Sequence, residues 1–367
     1  MKVCILTSVH SIDDTRIFYK EALSLKKHGH DVYFIVQHEK DTVIDGVNII
    51  HIKTPSHRRD RFFKTIFEVY QRAIEVQADI YHFHDPELIL VGLLLKSKGK
   101  KVIYDVHEDV PRQILSKYWI KPALRTIISK GFEAFENISV RYFDAIITAT
   151  PYISKRFKKR SSNVVTVCNY PIKEEFEDGD FSKELKENAV CYVGGLSKER
   201  GIKEMVDSMK ETEACLLLAG SFAEQKLQEQ MKKLPGWSKV EELGYLDREG
   251  VKQTLRRSVA GLYVGHPTPA YVHSLPIKVF EYMASGIPVI TSNFPILMDI
   301  VTKENCGLCV DPLDSNALAN AIQWMVNHPE KASEMGRNGR EAVLSRYNWE
   351  AESVKLMEVY EQISEED

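Results

Sequence analysis

The sequence lacks a long hydrophobic run, has few cysteines and carries no large excess of charge of either sign. Its longest apolar run, Leu88 to Leu95, is far shorter than the roughly 20 residues that a membrane-spanning helix needs. The apolar residues after Lys2 are too few for a signal-peptide core, so we interpret them as a buried strand and expect a cytoplasmic protein. A formal net charge of −3 gives no general reason to expect nucleic-acid binding.

The scarcity of cysteine also excludes a disulfide framework. Six cysteines in 367 residues are typical of free thiols in a reducing compartment. Cys306 and Cys309 have CxxC spacing, but no second pair accompanies them to complete a metal site. We interpret them as ordinary small residues beside a strand.

What the sequence does contain is two series of short apolar runs that alternate with helical patterns. The predicted strands are 3–6, 32–36, 80–83, 102–104 and 145–149 in the first series, and 190–193, 216–219, 261–264, 289–291 and 307–310 in the second. This alternation predicts an α/β fold with doubly wound parallel sheets, in which ligands bind at the carboxyl ends of the strands.

A change of composition separates the two series. Residues 173–188 are rich in charge and predict a solvated linker between an N-terminal domain, 1–172, and a C-terminal domain, 189–346. Residues 347–367 predict a final helix that packs back on the N-terminal domain. Its apolar residues in helical register are Val354, Met357, Tyr360 and Ile363.

The most informative stretch, residues 273–290, is a predicted helix that ends before a buried strand. Ser274 is a suitable N-cap, and Pro276 fits the first turn, where its missing N–H costs no hydrogen bond. Backbone N–H groups at a helix start attract anions, and Lys278 adds positive charge. Glu281 can accept two hydrogen bonds from a vicinal diol such as that of ribose. An ordinary amphipathic helix with a solvated Glu281 would show the same pattern.

A glycine-rich turn, Gly194-Gly195, follows the first predicted strand of the second series. Glycines let the backbone approach a ligand closely, and Lys198 and Arg200 can neutralise a diphosphate. One such turn is weak evidence, because glycine and lysine are common in turns. Together with the helix start at Ser274, it predicts a phosphate-binding site in the second domain.

These two motifs and the spacing between them resemble the retaining glycosyltransferases of family 4. The segment from Tyr347 resembles that family's crossover helix, and residues 81–88 and 104–109 resemble a bacterial branch that builds surface polysaccharides. The resemblance extends over essentially the whole chain. It implies the GT-B architecture of two facing Rossmann-like domains, and transfer of a sugar from a nucleotide diphosphate carrier with retained anomeric configuration.

In the second domain the resemblance assigns the donor. Glu281 matches the glutamate that holds the ribose, whereas the family's other glutamate, near the reacting centre, falls on His273. An arginine and a lysine of the family fall on Gly195 and Arg200, so one cation is missing, and our hypothesis is that Lys278 replaces it. The predicted donor-binding residues are Gly194, Gly195, Lys198, Arg200, Gly244, Tyr245, Ser274, Leu275, Lys278 and Glu281.

In the first domain the resemblance points to catalysis and to the acceptor. His107 matches the family's histidine that lies over the donor sugar, and we predict His107 and His273 as catalytic residues; the alternative for His107 is a satisfied histidine at a strand end. Asp13 and Asp14 also suit an Asx turn, and Asp85 also suits a cap at Pro86. The predicted acceptor-binding residues are His10, Asp13, Asp14, Arg16, His84 and Asp85.

Three further segments bear on membrane and metal binding. Residues 57–64 and 117–125 combine cations with aromatic side chains and suit an anionic membrane surface, although an exposed helix face with snorkelling cations has the same composition. Asp178-Gly-Asp180 has the DxD form of a metal–diphosphate signature, but it lies in the charged linker with no strand before it. We therefore expect neither a metal nor another cofactor.

The sequence thus predicts a cytoplasmic enzyme at the inner face of the cell membrane. We expect it to move a sugar from a UDP- or GDP-linked donor to a lipid-linked saccharide or related acceptor in cell-surface polysaccharide synthesis. A sugar-nucleotide 2-epimerase and a non-catalytic nucleotide-sugar-binding subunit stay open as alternatives. A dinucleotide oxidoreductase is disfavoured, because no G-x-G-x-x-G follows either first strand.

Overall fold

The computed structural model describes residues 1–54, 64–117, 120–177 and 186–365. The chain forms two compact units. One comprises Met1–Asn169 with Glu350–Asp367, and the other comprises Tyr170–Trp349. These limits lie close to the boundaries predicted at 172 and 347.

The first unit is built on an eight-stranded sheet in the order β3-β4-β2-β1-β5-β6-β7-β8. Every neighbouring pair is parallel except β3 and β4. Its central strands are buried on both faces, as parallel strands covered by helices must be. The strands are β1 Lys2–Ser11, β2 Asp31–Gln37, β3 Thr42–Ile44, β4 Val47–Ile52, β5 Ile80–Phe83, β6 Lys101–Val106, β7 Ala145–Thr148 and β8 Val164–Thr166.

Helices connect these strands. A π-helical segment, Thr15–Ala22, begins at the Asp14 cap and continues into the first α-helix. The α-helices of this unit are α1 Leu23–Lys27, α2 Ile66–Val76, α3 Ile89–Ser97, α4 Val110–Ser116, α5 Pro122–Ser139 and α6 Pro151–Phe157.

The antiparallel pair β3–β4 is the main feature of this sheet that our sequence analysis missed. Its turn is Asp45-Gly46, and both residues have positive φ, 49° and 77°. Such an Asp-Gly turn between apolar runs is a strong hairpin signal, and it was present in the sequence. The short strand β8 was missed as well.

The second unit has a six-stranded parallel sheet in the order β11-β10-β9-β12-β13-β14. Numbered from its own first strand, this is the 3-2-1-4-5-6 order of a Rossmann fold, whose ligands bind where the strand order reverses. That point lies at the carboxyl ends of β9 and β12. The strands are β9 Ala189–Val193, β10 Cys215–Ala219, β11 Val240–Gly244, β12 Ala260–Tyr263, β13 Val289–Ser292 and β14 Gly307–Val310.

The helices of this unit cover both faces of its sheet. They are α7 Ile202–Ser208, α8 Gln225–Met231, α9 Arg248–Arg257, α10 Ile277–Ala284, α11 Pro295–Glu304, α12 Ser315–Asn327 and α13 Pro329–Ser345. The predicted α/β fold with two Rossmann-like parallel sheets is confirmed.

The last helix, α14, spans Trp349–Glu365 and belongs to the first unit from Glu350 onward. Met357, Tyr360 and Ile363 are buried as predicted, but Val354 is 55% exposed, so its assignment to the apolar face was wrong. The Tyr360 hydroxyl lies 2.8 Å from His82 Nδ1, and the Glu352 carboxylate accepts a 2.8 Å hydrogen bond from Cys168 N. These polar contacts fix the helix against the first sheet, and Lys101 Nζ at the start of β6 donates to Ile363 O at 2.9 Å.

Candidate functional site

In the second unit, three glycines meet at the carboxyl ends of adjacent strands. Gly194 follows β9, Gly220 follows β10, and Gly244 ends β11. The Gly194 N–H donates to Ala219 O at 2.9 Å, and the Gly220 N–H donates to Gly244 O at 2.6 Å. Gly194 and Gly220 have φ values of 145° and 134°, which side chains rarely adopt, and a Cβ at Gly220 would overlap the Gly194 carbonyl. The turn therefore requires glycine, and Gly220 is a site residue that our sequence analysis missed.

Two cations converge on this turn. The Lys278 side chain passes over Gly194 so closely that a Cβ there would overlap its Cε and Nζ, and the Arg200 guanidinium lies on the same side. Burial lowers the pKa of Lys278, Glu281 opposes that effect, and Arg200 adds to it. Two like charges held together in a partly buried turn are poorly compensated, and an anion such as a diphosphate would relieve their repulsion.

Tyrosines hold Arg200 in place. The Tyr192 hydroxyl donates to Gly195 O at 3.1 Å, and Arg200 Nη1 donates to the same carbonyl at 3.3 Å. Burial acts to lower the pKa of Arg200, but the Tyr192 and Tyr271 hydroxyls outweigh it and raise that pKa. Nothing in the sequence around either tyrosine indicated this role.

The start of α10 differs from the prediction at Ser274. The helix begins at Ile277 with Pro276 as its N-cap, and no side chain caps it. The Ser274 hydroxyl instead donates to Tyr271 O at 2.9 Å, so the prediction of Ser274 as the N-cap was wrong. The physical reason is that residues 270–273 form a turn that uses this hydroxyl before the helix starts. Lys278 is nevertheless the second residue of the helix, beside its N–H groups.

The remaining predicted donor residues surround this turn at different depths. Glu281 lies on α10 close enough to Lys278 to raise its pKa. Tyr245 is 86% exposed beside Gly244, which has a φ of 67°. Lys198 is exposed, whereas His273, Ser274 and Leu275 are half-buried in the segment before α10. Lys278 and Arg200 lie against Gly194, whereas Lys198 is exposed and more peripheral.

In the first unit, the carboxyl ends of β1, β5 and β6 carry a buried network of charged and imidazole side chains. Arg16 Nη2 donates to both oxygens of Asp105, at 3.1 and 2.8 Å, and Arg16 Nε pairs with Glu21 Oε1 at 2.9 Å. Burial opposes ionisation of Asp105, but the Arg16 guanidinium outweighs it and holds the pKa of that carboxyl well below its usual range. Burial and the neighbouring Asp105 carboxylate raise the pKa of Glu21 well above its usual value.

His107 sits at the edge of this network. Its Nε2 lies 3.0 Å from His84 Nδ1, so one ring donates to the other. Burial is the main effect that lowers the pKa of His107, to about 4, although Asp105 acts in the opposite direction. His107 is therefore a neutral imidazole near pH 7, oriented through His84. It is a group that can hydrogen-bond a sugar hydroxyl without adding charge.

His10 lies beside His107, with the two ring centroids 5.6 Å apart, and it is positively charged where His107 is neutral. Its Nδ1 lies 2.9 Å from Asp14 Oδ2, and its Nε2 lies 3.4 Å from Asp85 Oδ1. Burial acts to lower the pKa of His10, but the hydrogen bonds to Asp14 and Asp85 raise it to about 10. Because Asp14 and Asp85 take both ring nitrogens of His10 and outweigh its single positive charge, this group suits a hydroxylated acceptor better than an anionic one.

The carboxylates that hold His10 also shape the loop after β1. Asp14 is the N-cap of the helical segment and accepts from the N–H groups of Arg16 and Ile17, both at 2.9 Å. Asp85 Oδ2 accepts from Thr7 Oγ1 at 2.7 Å and from Ser8 N at 2.6 Å. Asp85 therefore anchors the last part of β1, which leads into this loop, and makes no side-chain cap at Pro86.

The predicted acceptor residues differ in accessibility. His10 and Asp14 are half-buried, and Asp13 is exposed. Arg16 and His84 are buried, and Arg16 also donates to Val167 O at 2.9 Å. We assign Arg16 and His84 to positioning, since their polar atoms are directed at other side chains of the protein.

One cluster in this network has donors that suit a metal ion. Glu21, His82, His84 and Asp105 each place one ligand atom within 4.8 Å of the others, and all four are buried. Arg16 already pairs with both carboxyl groups and supplies positive charge where a metal ion would bind. We therefore assign it to positioning of His107. The sequence offered the HxH pair His82 and His84 as a signal, but Glu21 came together with them only in the fold.

Other predicted features are partly outside the described residues. Residues 57–63, 118–119 and 178–180 lie there, and with them most of one basic–aromatic segment and the DxD. Cys306 is buried, and Cys309 Sγ lies 3.4 Å from Thr291 Oγ1. Among the helices that the structure describes, none combines the length and apolar character needed to cross a membrane.

The two Rossmann-like parallel sheets have the GT-B architecture of glycosyltransferases. Two family profiles match the chain, Glycosyltransferase Family 4 over residues 15–169 and Glycosyl transferases group 1 over residues 173–342. The chain is accordingly a glycosyltransferase with the GT-B fold.

Known proteins agree with this assignment. D-rhamnosyltransferase WbpZ of Pseudomonas aeruginosa is 25% identical over 289 residues, which are 76% of this chain and 71% of the relative. The structure of sucrose-phosphate synthase from Thermosynechococcus elongatus has a TM-score of 0.78 at 20% identity and full coverage of both chains, 100% each. Anabaena HepE in complex with UDP has a TM-score of 0.75 at 15% identity, with 99% of this chain and 100% of that chain covered. The structural similarities show the fold.

Proposed function

We propose that the enzyme transfers a sugar from a UDP- or GDP-linked donor to a lipid-linked saccharide, with retention of anomeric configuration, in cell-surface polysaccharide synthesis. The observation that carries the proposal is the convergence of Lys278 and Arg200 on the Gly194 turn. The rhamnosyltransferase relative and the UDP complex of a protein with the same fold support the substrate class.

In the proposed donor site, the diphosphate lies on the Gly194 turn, between Arg200, Lys278 and the start of α10. Glu281 receives the ribose hydroxyls, and the base lies beside Gly244 and Tyr245. As the bond to the sugar breaks, negative charge grows on the diphosphate, and cations already in place stabilise it without reorganisation. These groups can balance the charge themselves, so we propose that transfer needs no metal.

In the proposed acceptor site, His10 and Asp14 bind the acceptor, and neutral His107 contacts a hydroxyl of the donor sugar. Arg16, His84 and Asp105 hold His107 in one orientation. His273 occupies the position of the family's glutamate and contacts the donor sugar, which we expect to alter the choice of sugar.

The test combines a panel of UDP- and GDP-linked sugars with a lipid diphosphate-linked saccharide, and product is detected by mass spectrometry. We expect donor consumption only when acceptor is present, at the same rate with and without a metal chelator. Conversion of donor without acceptor would instead identify an epimerase, and binding without any turnover would identify a non-catalytic subunit.

Substitutions test the cation assignment. Lys278→Ala should lower the transfer rate by on the order of 10²–10³, because it removes a charge from the departing group. Lys198→Ala, at an exposed lysine of the same region, is the matched control and should change the rate little. Adding Gly195→Arg to Lys278→Ala restores the family's usual cation and should recover part of the lost rate. The hypothesis that Lys278 replaces the missing cation would be refuted if Lys278→Ala kept the wild-type rate and the double variant were no faster.

A further inference from the structure

Helix α5, Pro122–Ser139, is inverted relative to an ordinary surface helix. Its buried side chains include Ser129, Glu136 and Ser139, with exposures of 3%, 0% and 1%. The Ser129 hydroxyl donates to Pro111 O at 2.7 Å, and Glu136 accepts from Tyr104 at 2.9 Å and from Arg156 at 2.7 Å. Polar contacts therefore help to hold this helix to the protein, beside the half-buried Phe132, which packs against the core.

Its outward face is apolar. The exposed side chains recur at helical spacing on one side of the helix and continue into the 3₁₀ turn Val140–Tyr142. We call this face the apolar stripe. Its members and their exposures are Leu124 47%, Ile127 66%, Ile128 43%, Phe135 37%, Ile138 56% and Tyr142 61%. A contiguous exposed apolar face of this kind marks an interaction surface.

Positive charge borders the apolar stripe. The exposed charged residues of the segment 121–142 are Lys121, Lys130 and Arg141, and all three are basic. An apolar face flanked by cations complements an anionic lipid surface, where the apolar side chains enter the acyl boundary and the cations meet headgroups. A second copy of the chain would bring these like charges together, which disfavours it as the occupant.

A cationic pocket of about 280 Å³ adjoins the same helix, and Glu133 and Asn137 of α5 form one wall of it. Five of its lining side chains are cationic and two are acidic. The cations are Arg112, Lys155, Arg156, Lys159 and Arg160. Arg156 Nε and Nη2 are buried without a hydrogen-bond partner. The guanidinium pairs with Glu136 through Nη1 and lies 3.9 Å from Asp109 Oδ1 through Nη2, so its Nε and the exposed Lys155 and Lys159 are the donors that suit a phosphate headgroup.

We propose that α5 docks the enzyme on an anionic lipid bilayer through the apolar stripe, and that the adjoining pocket receives a phosphate headgroup. The pocket also includes Asp109, two residues after His107 in the sequence. Docking would thus bring the acceptor side of the enzyme to the membrane. The apolar stripe begins at Leu124, inside the predicted basic–aromatic segment, and continues to Tyr142.

The experiment measures co-sedimentation of the full-length protein with vesicles of phosphatidylcholine alone or mixed with phosphatidylglycerol. No donor or acceptor is present, so failure of docking leaves the proposed transfer reaction untouched. We expect binding to the mixed vesicles that weakens as salt is added. Wild-type protein that stays in solution with both kinds of vesicle would overturn the proposal.

Variants locate the surface. Ile127→Ser with Ile138→Ser should lower partitioning by on the order of tenfold or more. Val43→Ser with Val354→Ser removes two equally exposed apolar side chains elsewhere, at 62% and 55%, and should leave partitioning unchanged. Lys155→Gln with Lys159→Gln should lower binding to phosphatidylglycerol vesicles only. If the stripe variant binds vesicles as well as wild type does, the stripe is not a membrane surface. The same conclusion follows if light scattering shows that the wild type is a dimer and the stripe variant is a monomer.

Discussion

The two candidate sites of this enzyme, one in each unit, are built in opposite ways. In the second unit, the site is an opening in the backbone, formed by glycines at strand ends, with two cations directed at it. In the first unit, it is a closed network in which Arg16 pairs with Asp105 and Glu21, and His10 and His107 lie at its edge. The site in the second unit leaves room for a ligand's charge. The network in the first unit fixes the charge state of its side chains before any ligand binds.

The largest effect on stability should come from removing Arg16 from the buried network of the first unit. Arg16→Met leaves Asp105 buried without its main partner and should lower the free energy of unfolding by about 3–5 kcal/mol. Arg112 is 32% exposed and pairs with Glu133. Arg112→Met removes that pair and should lower the free energy of unfolding by no more than about 1 kcal/mol. Denaturant titration of the first unit's transition measures both. If both variants lost the same free energy of unfolding, the buried network would contribute no more to stability than a partly exposed ion pair.

A smaller effect should come from narrowing the open turn. Gly194→Ala places a methyl group where Lys278 lies, at a φ of 145°, and should weaken donor binding by about ten- to a hundredfold through strain and displacement of the lysine. At the neighbouring Gly195, a Cβ would lie 3.2 Å from Arg200 Nη1, at the end of a flexible side chain. Gly195→Ala should therefore weaken donor binding much less. Calorimetric titration with the donor compares the two variants. Similar affinities would mean that the turn does not approach the ligand.

A third difference should be a pH dependence of stability that His10 and His107 give to the first unit. The pKa of His10 is raised to about 10, so its stabilising contribution is complete below about 6.5 and is lost as pH rises toward 10. The pKa of His107 is lowered to about 4, so its neutral folded form loses stability as pH falls from about 6.5 toward 4.

Thermal melts across this range should separate the two histidines. His10→Gln should flatten the alkaline limb of the wild-type stability profile, and His107→Gln should flatten the acid limb. Both limbs unchanged in both variants would contradict the assigned charge states.

The same contrast explains what could be predicted from the sequence. The second unit's site depends on local patterns, so Gly194, Arg200, Lys278 and Glu281 could be selected from the glycine turn and the helix that follows Pro276. Gly220 and Tyr271 could not, because they reach the site from other segments and have no motif of their own. Ser274 was misassigned because a preceding turn competes for its hydroxyl.

In the first unit, strand ends identified His10, His84 and His107, but not how they are paired. Glu21 and Asp105 lie 84 positions apart in the sequence, and nothing local indicates that Arg16 joins them. The apolar stripe of α5 was equally hidden, because an amphipathic pattern does not reveal which face is turned outward. Its inversion is visible only from the burial of Ser129 and Glu136.

The most direct test of the central claim is calorimetric titration with a nucleoside diphosphate and its parent nucleoside, after UDP, GDP and ADP are ranked by thermal shift. A ligand at about 100 times its Kd should stabilise the protein by roughly 2.7 kcal/mol. We predict that Lys278→Ala weakens the diphosphate by about ten- to a hundredfold and leaves the nucleoside unchanged, because the lysine contacts only phosphate. Glu281→Ala should weaken both. If Lys278→Ala weakens neither ligand, or both equally, the open turn is not the diphosphate site.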